Sequence, residues 1–340
     1  MVIDCHGHYT TVPGALKDFR TRQLEAFACG KTLLPDFVIT DDEIRESLEP
    51  NQLRTQRERG VDVTLFSPTA GAMAHHEGDA ATSLDWSRAC NDLVHRAVEL
   101  YPDRLVGVCQ LPESPGVDPV GWVGELDRCV NELGFVGCNL NPDPTDGYWR
   151  DPPLTRRYWY PLFEKMVELD VPAMIHASCS CNPNFQYTGA HYINTDTAIF
   201  MQLLMADIFK DFPTLRLVIP HGGGAVPYHW GRYRGLGLEI GRTTVEALMD
   251  NVFFDTCVYH QPGIELLLKV VPADNVLFAS EIYGAVKGKD PLTGHNFDDT
   301  KRYIDAVAWL DVESRDKVLG GNALRVYPRI ARRLHPGAQA

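Results

Sequence analysis

Eight short apolar runs recur along the chain, with longer amphipathic stretches between them. They are MVID (1–4), DVTLFSP (62–68), DRLVGVCQL (103–111), FVGCNLNP (135–142), VPAMIHAS (171–178), LRLVIPH (215–221), NVFFDTC (251–257) and NVLFASE (275–281). Each is rich in Val, Ile, Leu or Phe and closes on a small, polar or His residue. Continuous apolar runs of this length predict strands buried on both faces, as in a parallel sheet. The stretches between them predict helices over 41–60, 83–102, 121–134 and 159–170. In the last of these Leu162, Phe163, Met166, Val167 and Leu169 form one helical stripe. Asp41 suits an N-cap and Gly60 a stop. Eight strands alternating with helices predict an α/β fold, a distorted (β/α)8 TIM-type barrel, as a single domain over 1–335. An open doubly wound sheet is the alternative, but no GxGxxG follows an early strand. Residues 10–40 and 179–195 read as long strand-end loops of the kind that build or cover a site. Residues 336–340 read as a flexible tail.

Composition narrows the function. Of 340 residues 44 % are hydrophobic and 23 % charged, as expected of a chain with a large core. A net charge of −13 argues against nucleic acid as partner, because phosphate binding needs a basic face. The opening MVIDCHGH carries no leader pattern and no apolar run is long enough to span a bilayer, so a cytoplasmic protein with no membrane partner is expected. Nine cysteines scattered through apolar segments fit reduced thiols. Cys179 and Cys181, in HASCSCN, are spaced more tightly than a CxxC zinc pair, and read as packing or loop residues.

Candidate chemistry gathers at the ends of the apolar runs. In a strand His6 and His8 point the same way, which suits two imidazoles on one divalent ion. His176 ends the fifth run, His221 opens a Gly222-Gly223-Gly224 turn after the sixth, and Glu281 ends the eighth. The glycines would let backbone approach a ligand closely. Taken singly, each feature has a plain structural reading: a satisfied core histidine, a turn, a capping carboxylate. Their joint occurrence on four strand ends, the rim where barrel sites sit, points to a site. A purely structural zinc would favour a Cys-rich, closed tetrahedron.

These motifs resemble the amidohydrolase superfamily, in its subgroup of decarboxylases and hydratases acting on small acids of aromatic catabolism. DCHGH, MIHAS, VIPHGGG, FASE and the closing GGNALRVYPRI carry the resemblance, which spans residue 2 to about 335. It implies Zn²⁺ held by His6, His8, His176 and Glu281, with Mn²⁺ or Fe²⁺ as alternatives. Most members of the subgroup have Asp where this chain has Glu281, and Glu there resembles the hydratase branch. The resemblance therefore implies reversible addition of water to a carbon–carbon double bond of a small polycarboxylate, on the gallate and protocatechuate 4,5-cleavage route. Non-oxidative decarboxylation of a small aromatic or muconate semialdehyde acid is the alternative, and lactone hydrolysis a third. His221 is the expected acid/base, and Glu281 a ligand, a base or both. Arg232, Lys287, Lys289, Tyr192, Asn194 and His75 are candidate carboxylate anchors. A homodimer or higher homo-oligomer is expected from the subgroup.

Overall fold

The computed structural model describes residues 1–334; the tail expected over 336–340 lies outside the described residues. Eight strand positions follow in chain order. They are β1 (Ile3–His8), β2 (Val63–Ser67), β3 (Leu105–Gly107, resuming after Val108 as Cys109–Gln110), β4 (Cys138–Leu140), β5 (Ala173–Ile175), β6 (Leu217–Ile219), β7 (Val252–Asp255) and β8 (Val276–Leu277). Each pairs with the next, always parallel. Val108 bridges the interruption in β3, its N–H reaching the Phe66 carbonyl at 2.9 Å. The ring closes between the last and first strands: Cys5 N–H donates to the Phe278 carbonyl, and Glu281 N–H to the His6 carbonyl, both at 2.9 Å. The fold is thus the α/β barrel that the alternating pattern predicts.

Most strands are shorter than the apolar runs that announce them. β1 is the exception and reaches His8, so both histidines lie inside it. The β1–β2 register shifts between Asp4 and Gly7, where three steps of β1 face two of β2. An extra residue of this kind resets the alternation of faces. Ile3 and Cys5 therefore join the apolar filling of the lumen with Val63, Leu65, Val106, Met174 and Phe253, while higher up the same strand His8 lies beside Ser67. Tyr327, Ala323 and Ile330 of the C-terminal helices close the bottom of this filling. A larger apolar layer lies between the strands and the surrounding helices.

The helices follow the predicted stripes with local corrections. The stretch predicted over 41–60 divides into Asp41–Leu48, a wide helical turn Glu49–Leu53 and Arg54–Glu58. Pro50 lacks the N–H that a regular turn needs, and the turn widens around it. The N-cap is Thr40, not Asp41: Thr40 and Glu43 form a reciprocal capping box. Gly60 does end the stretch, at φ 66°. The two predicted loops are each about half helical. Residues 10–40 contain a helix, Gly14–Ala28. Within 179–195 lie a helical turn, Tyr187–His191, and the start of the helix Tyr192–Leu204. Among the described residues no helix is long and apolar enough to cross a membrane.

Candidate active site

Three imidazoles meet at the top of the barrel. His6 Nε2 lies 3.1 Å from His8 Nε2, and His8 Nε2 lies 3.2 Å from His176 Nε2. Each ring is held from behind through Nδ1. His6 contacts Asp255 Oδ2 at 2.8 Å, His8 contacts Ser67 Oγ at 2.8 Å, and His176 donates to the Ala177 carbonyl at 2.8 Å. With Nδ1 engaged as donor, Nε2 presents a lone pair. Burial, and then the neighbouring imidazoles, hold His8 and His176 well below the usual histidine range, so both are neutral. Three buried lone pairs facing one another at this distance repel unless a cation sits between them, so the donor set fits a divalent metal.

The glycine of HGH is a packing requirement. A Cβ at Gly7 would stand 2.3 Å from Thr64 Cγ2 and 2.9 Å from the Leu65 carbonyl, so only glycine lets β1 lie this close to β2. Asp4 also has a task. It accepts from His6 N–H at 3.1 Å and Ser280 N–H at 3.0 Å, and from the Ser280 hydroxyl, fastening β1 to the segment that carries Glu281. Burial pushes Asp4 up to about 6 despite those bonds.

Glu281 follows β8 in a left-handed turn, at φ 52°. His221, Tyr259 and Tyr283 share that unusual region, at φ 51°, 58° and 59°. Left-handed conformations of such residues cost on the order of 1–3 kcal/mol each and persist where surrounding structure over-determines them. Glu281 is pinned by its N–H to His6, by Gly284 N–H on its own carbonyl at 2.8 Å, and by Tyr259 Oη donating to Oε2 at 2.5 Å. Ligand atoms of His6, His176, His221 and Glu281 all fall within 4.8 Å of one another. Five donors thus surround one point, counting His8 through its contacts to His6 and His176.

His221 differs from the other three histidines. Its Nδ1 contacts Asp196 Oδ2 at 2.9 Å, and its buried Nε2 has no partner among the described residues. Burial works against protonation, but the Asp196 carboxylate outweighs it and pushes His221 up to about 9. The Tyr192 ring stacks on it, with centroids 5.4 Å apart and planes 18° from parallel. The three following glycines do not open towards a ligand, contrary to expectation. A Cβ at Gly222, Gly223 or Gly224 would strike Val258, Phe254 or the Ile193 carbonyl, at 2.4, 2.4 and 2.5 Å. They let the turn pack against β7 and the Tyr192 helix, and aim Gly222 N–H at Asp255 Oδ1, 3.0 Å away.

A cavity of about 420 Å³ opens onto this centre, with His8, His176, Glu281, Tyr192 and Lys287 on its wall. The other predicted anchors lie elsewhere. Arg232 is exposed on the helix Trp230–Ile240, and Asn194 is exposed in the first turn of the Tyr192 helix. Lys289 is exposed and does not line the cavity. His75 is buried beside Ser83, its Nδ1 2.6 Å from Oγ, and burial pushes it down to about 3. None of these three side chains, Arg232, Asn194 or His75, lines the cavity.

Several site residues escape the sequence reading. Arg20, on the helix Gly14–Ala28, lines the cavity although only 8 % exposed. Its guanidinium lies 5.1 Å from the Trp86 ring centroid and bonds to Gln23 and the Ala74 carbonyl. Among the described residues no carboxylate lies within salt-bridge distance of it, and its Nε has no partner. Lys17 lines the same wall. Asp255 had a readable signal, an acidic residue ending a buried run as Glu281 does. Asp196 and Arg20 lie inside helices, where only docking decides the inward face.

The fold and this centre define a barrel enzyme with a candidate metal site, and the chain belongs to the amidohydrolase family, whose model matches residues 3–329. The 2-keto-4-carboxy-3-hexenedioate hydratase of Sphingobium sp. (strain SYK-6) is 58 % identical over 335 residues, covering 98 % of each chain. The crystal structure of 4-oxalomesaconate hydratase from Rhodopseudomonas palustris superposes with a TM-score of 0.92 at 52 % identity, covering 99 % of each chain. A gamma-resorcylate decarboxylase of Polaromonas sp. is more distant, 27 % identical over 76 % of this chain and 86 % of its own.

Proposed function

We propose that this chain is a hydro-lyase that adds water reversibly to the C=C bond of 2-keto-4-carboxy-3-hexenedioate (4-oxalomesaconate), giving 4-carboxy-4-hydroxy-2-oxoadipate. The observation that carries the reading is Glu281, which the resemblance associates with the hydratase branch, pinned beside the three-histidine cluster in a chain 58 % identical to a hydratase of that substrate. Water oxygen must bond to C4, β to the ketone, and a proton must reach C3. His6, His8, His176 and Glu281 would hold a divalent cation, Zn²⁺ in our reading. Such an ion acidifies a water and polarises a substrate oxygen.

The chain's own residues supply the rest. Glu281, fixed by Tyr259, can accept a proton from the water that attacks C4. His221, held by Asp196 with Nε2 free, is the group that gives a proton to C3 or steadies the enolate oxygen; reversal of the reaction needs it to take that proton back. Arg20, Lys17 and Lys287 supply positive charge for the three carboxylates, on a chain whose net charge is strongly negative. A buried guanidinium lacking a carboxylate partner is ready to bind one. Arg20 and Lys17 take the place of Arg232, Asn194 and His75 in this proposal, while Tyr192 closes the wall over His221. The chemistry belongs to the breakdown of gallate and protocatechuate by ring cleavage.

The test is direct. Metal-loaded enzyme with 4-oxalomesaconate in ¹⁸O-water should bleach the enone absorption and place one heavy oxygen on C4, with no CO₂ evolved. Release of CO₂ in step with substrate loss would instead assign decarboxylation.

A further inference from the structure

A second group of donors lies outside this centre. His76, Asp146, Cys179 and Cys181 come from three separate segments, and their ligand atoms lie within 4.8 Å of one another. His76 Nδ1 contacts Asp146 Oδ2, Cys179 Sγ lies 3.4 Å from the same oxygen, and Cys181 Sγ lies 3.0 Å from His76 Nε2. Asp146 is fully buried, and its other oxygen, Oδ1, has no hydrogen-bond partner among the described residues. A buried carboxylate with an idle oxygen beside two thiols and an imidazole is costly without a cation.

The surrounding backbone is prepared for this arrangement. Asp146 sits in a left-handed turn at φ 49°, built by Asp143, whose carboxylate accepts from Thr145, Gly147 and Trp149 N–H groups at 3.2, 2.7 and 3.1 Å. Cys181 N–H donates to the Asp146 carbonyl at 2.9 Å, and Asn182 Nδ2 to the Gly147 carbonyl at 2.9 Å. The Cys-Ser-Cys segment is therefore docked on the Asp146 turn by the Cys181 backbone and the neighbouring Asn182 amide, independently of the candidate ligand side chains.

We propose that His76, Asp146, Cys179 and Cys181 form a second divalent-metal site, suited to Zn²⁺, that clips three loops together beside the cavity. Two thiolates, one imidazole and one carboxylate make a complete tetrahedral set for zinc, leaving no position for substrate. The spacing of the two cysteines is too tight for a self-contained CxxC knuckle, but His76 and Asp146 supply the other half from elsewhere in the chain. The site's consequence follows from its neighbours. His76 lies three residues beyond Met73, and Cys181 six residues before Tyr187, and both Met73 and Tyr187 line the cavity. A cation there would join two walls of the substrate chamber through the Asp146 turn.

The test uses the full-length protein prepared with Zn²⁺ and kept reduced. Elemental analysis after dialysis should give two equivalents of zinc per chain, falling to one in Cys181→Ser and in Cys179→Ser. Co²⁺ offers a second readout. Wild type should show a thiolate-to-cobalt charge-transfer band in the near ultraviolet, absent from both variants; the proposed ligands of the barrel-mouth centre carry no sulfur, and the neighbouring Cys257 Sγ lies 3.7 Å from His6 Nδ1, the nitrogen turned towards Asp255. Cys181 is exposed, so its replacement by serine leaves the core intact. One equivalent of zinc in wild type, or a charge-transfer band that survives both substitutions, would overturn the proposal.

Discussion

The two donor clusters are held in different ways. At the barrel mouth His6 and His8 belong to a strand, and His176, His221 and Glu281 follow strand ends by one to four residues. Each of the four imidazoles is fixed from behind by a group outside the donor set: Asp255, Ser67, Ala177 and Asp196. At the rim His76 sits in a single 3₁₀ turn, His75–Glu77, while Asp146, Cys179 and Cys181 sit on loops, and their side chains mainly contact one another. The first cluster keeps its geometry because the sheet and a second layer of hydrogen bonds impose it, as reaction chemistry requires. The second has a prepared backbone but little behind its side chains among the described residues, the Ser178 hydroxyl standing 4.0 Å from Cys179 Sγ, so a bound cation would be what orders them. Pre-organisation by the scaffold marks a reacting centre, and organisation by the ligand marks a clip.

That contrast can be broken most forcefully at His176. His176→Ala should abolish both hydration and metal retention at the barrel mouth; full occupancy there, measured by elemental analysis, would remove His176 from the ligand set. His221→Asn should keep the metal and lower kcat by about 10²–10⁴-fold, the range for loss of an acid/base group. Unchanged turnover would remove that role. Asp255→Asn sharpens the comparison by touching only the layer behind His6. It should weaken metal affinity about 10–100-fold, as competition with a chelator would measure, and an unchanged affinity would mean that the sheet alone suffices.

The smallest expected effect lies on the helix Val120–Asn131, away from both clusters. Burial tends to raise the Glu125 carboxyl, but Arg128 and Asn91 hold it below its usual value of 4.5. A carboxyl with a depressed folded value adds stability that is complete above the unfolded value and is lost as pH falls through the folded one. Thermal unfolding should therefore show Glu125 stabilising the protein above pH 4.5 and progressively less below it. Glu125→Gln should flatten that part of the profile with the metal centre untouched; an identical profile in the variant would show that acid sensitivity resides elsewhere.

The barrel and its principal donors were legible because they rest on local patterns. A run such as VPAMIHAS is apolar throughout because β5 is covered on both sides, and a polar residue at its end has only the rim to occupy. His6, His8, His176, His221 and Glu281 are all polar exceptions at the ends of such runs. The anchors fared differently. Arg232 and Asn194 were nominated by nearness in sequence to His221 and His176, yet both lie on exposed parts of helices. Arg20 carries no local mark, since its burial depends on how the helix Gly14–Ala28 docks beside Trp86. The cysteine pair carries no local mark of a site for a related reason: its proposed partners His76 and Asp146 lie 103 and 33 residues from Cys179 in the chain.

The sequence by itself determined the strand and helix order, the parallel sheet, and which side chains would stand at the strand ends, because hydrophobic periodicity and polar exceptions are properties of neighbouring residues. Only the tertiary structure decided which nitrogen of each histidine is free, which cationic side chain faces the chamber, and that two adjacent-looking cysteines meet a distant histidine and aspartate. Those outcomes depend on helix rotation, on a one-residue register shift in β1 and on loops docking across the rim, and no local pattern encodes contacts between segments so far apart in the chain.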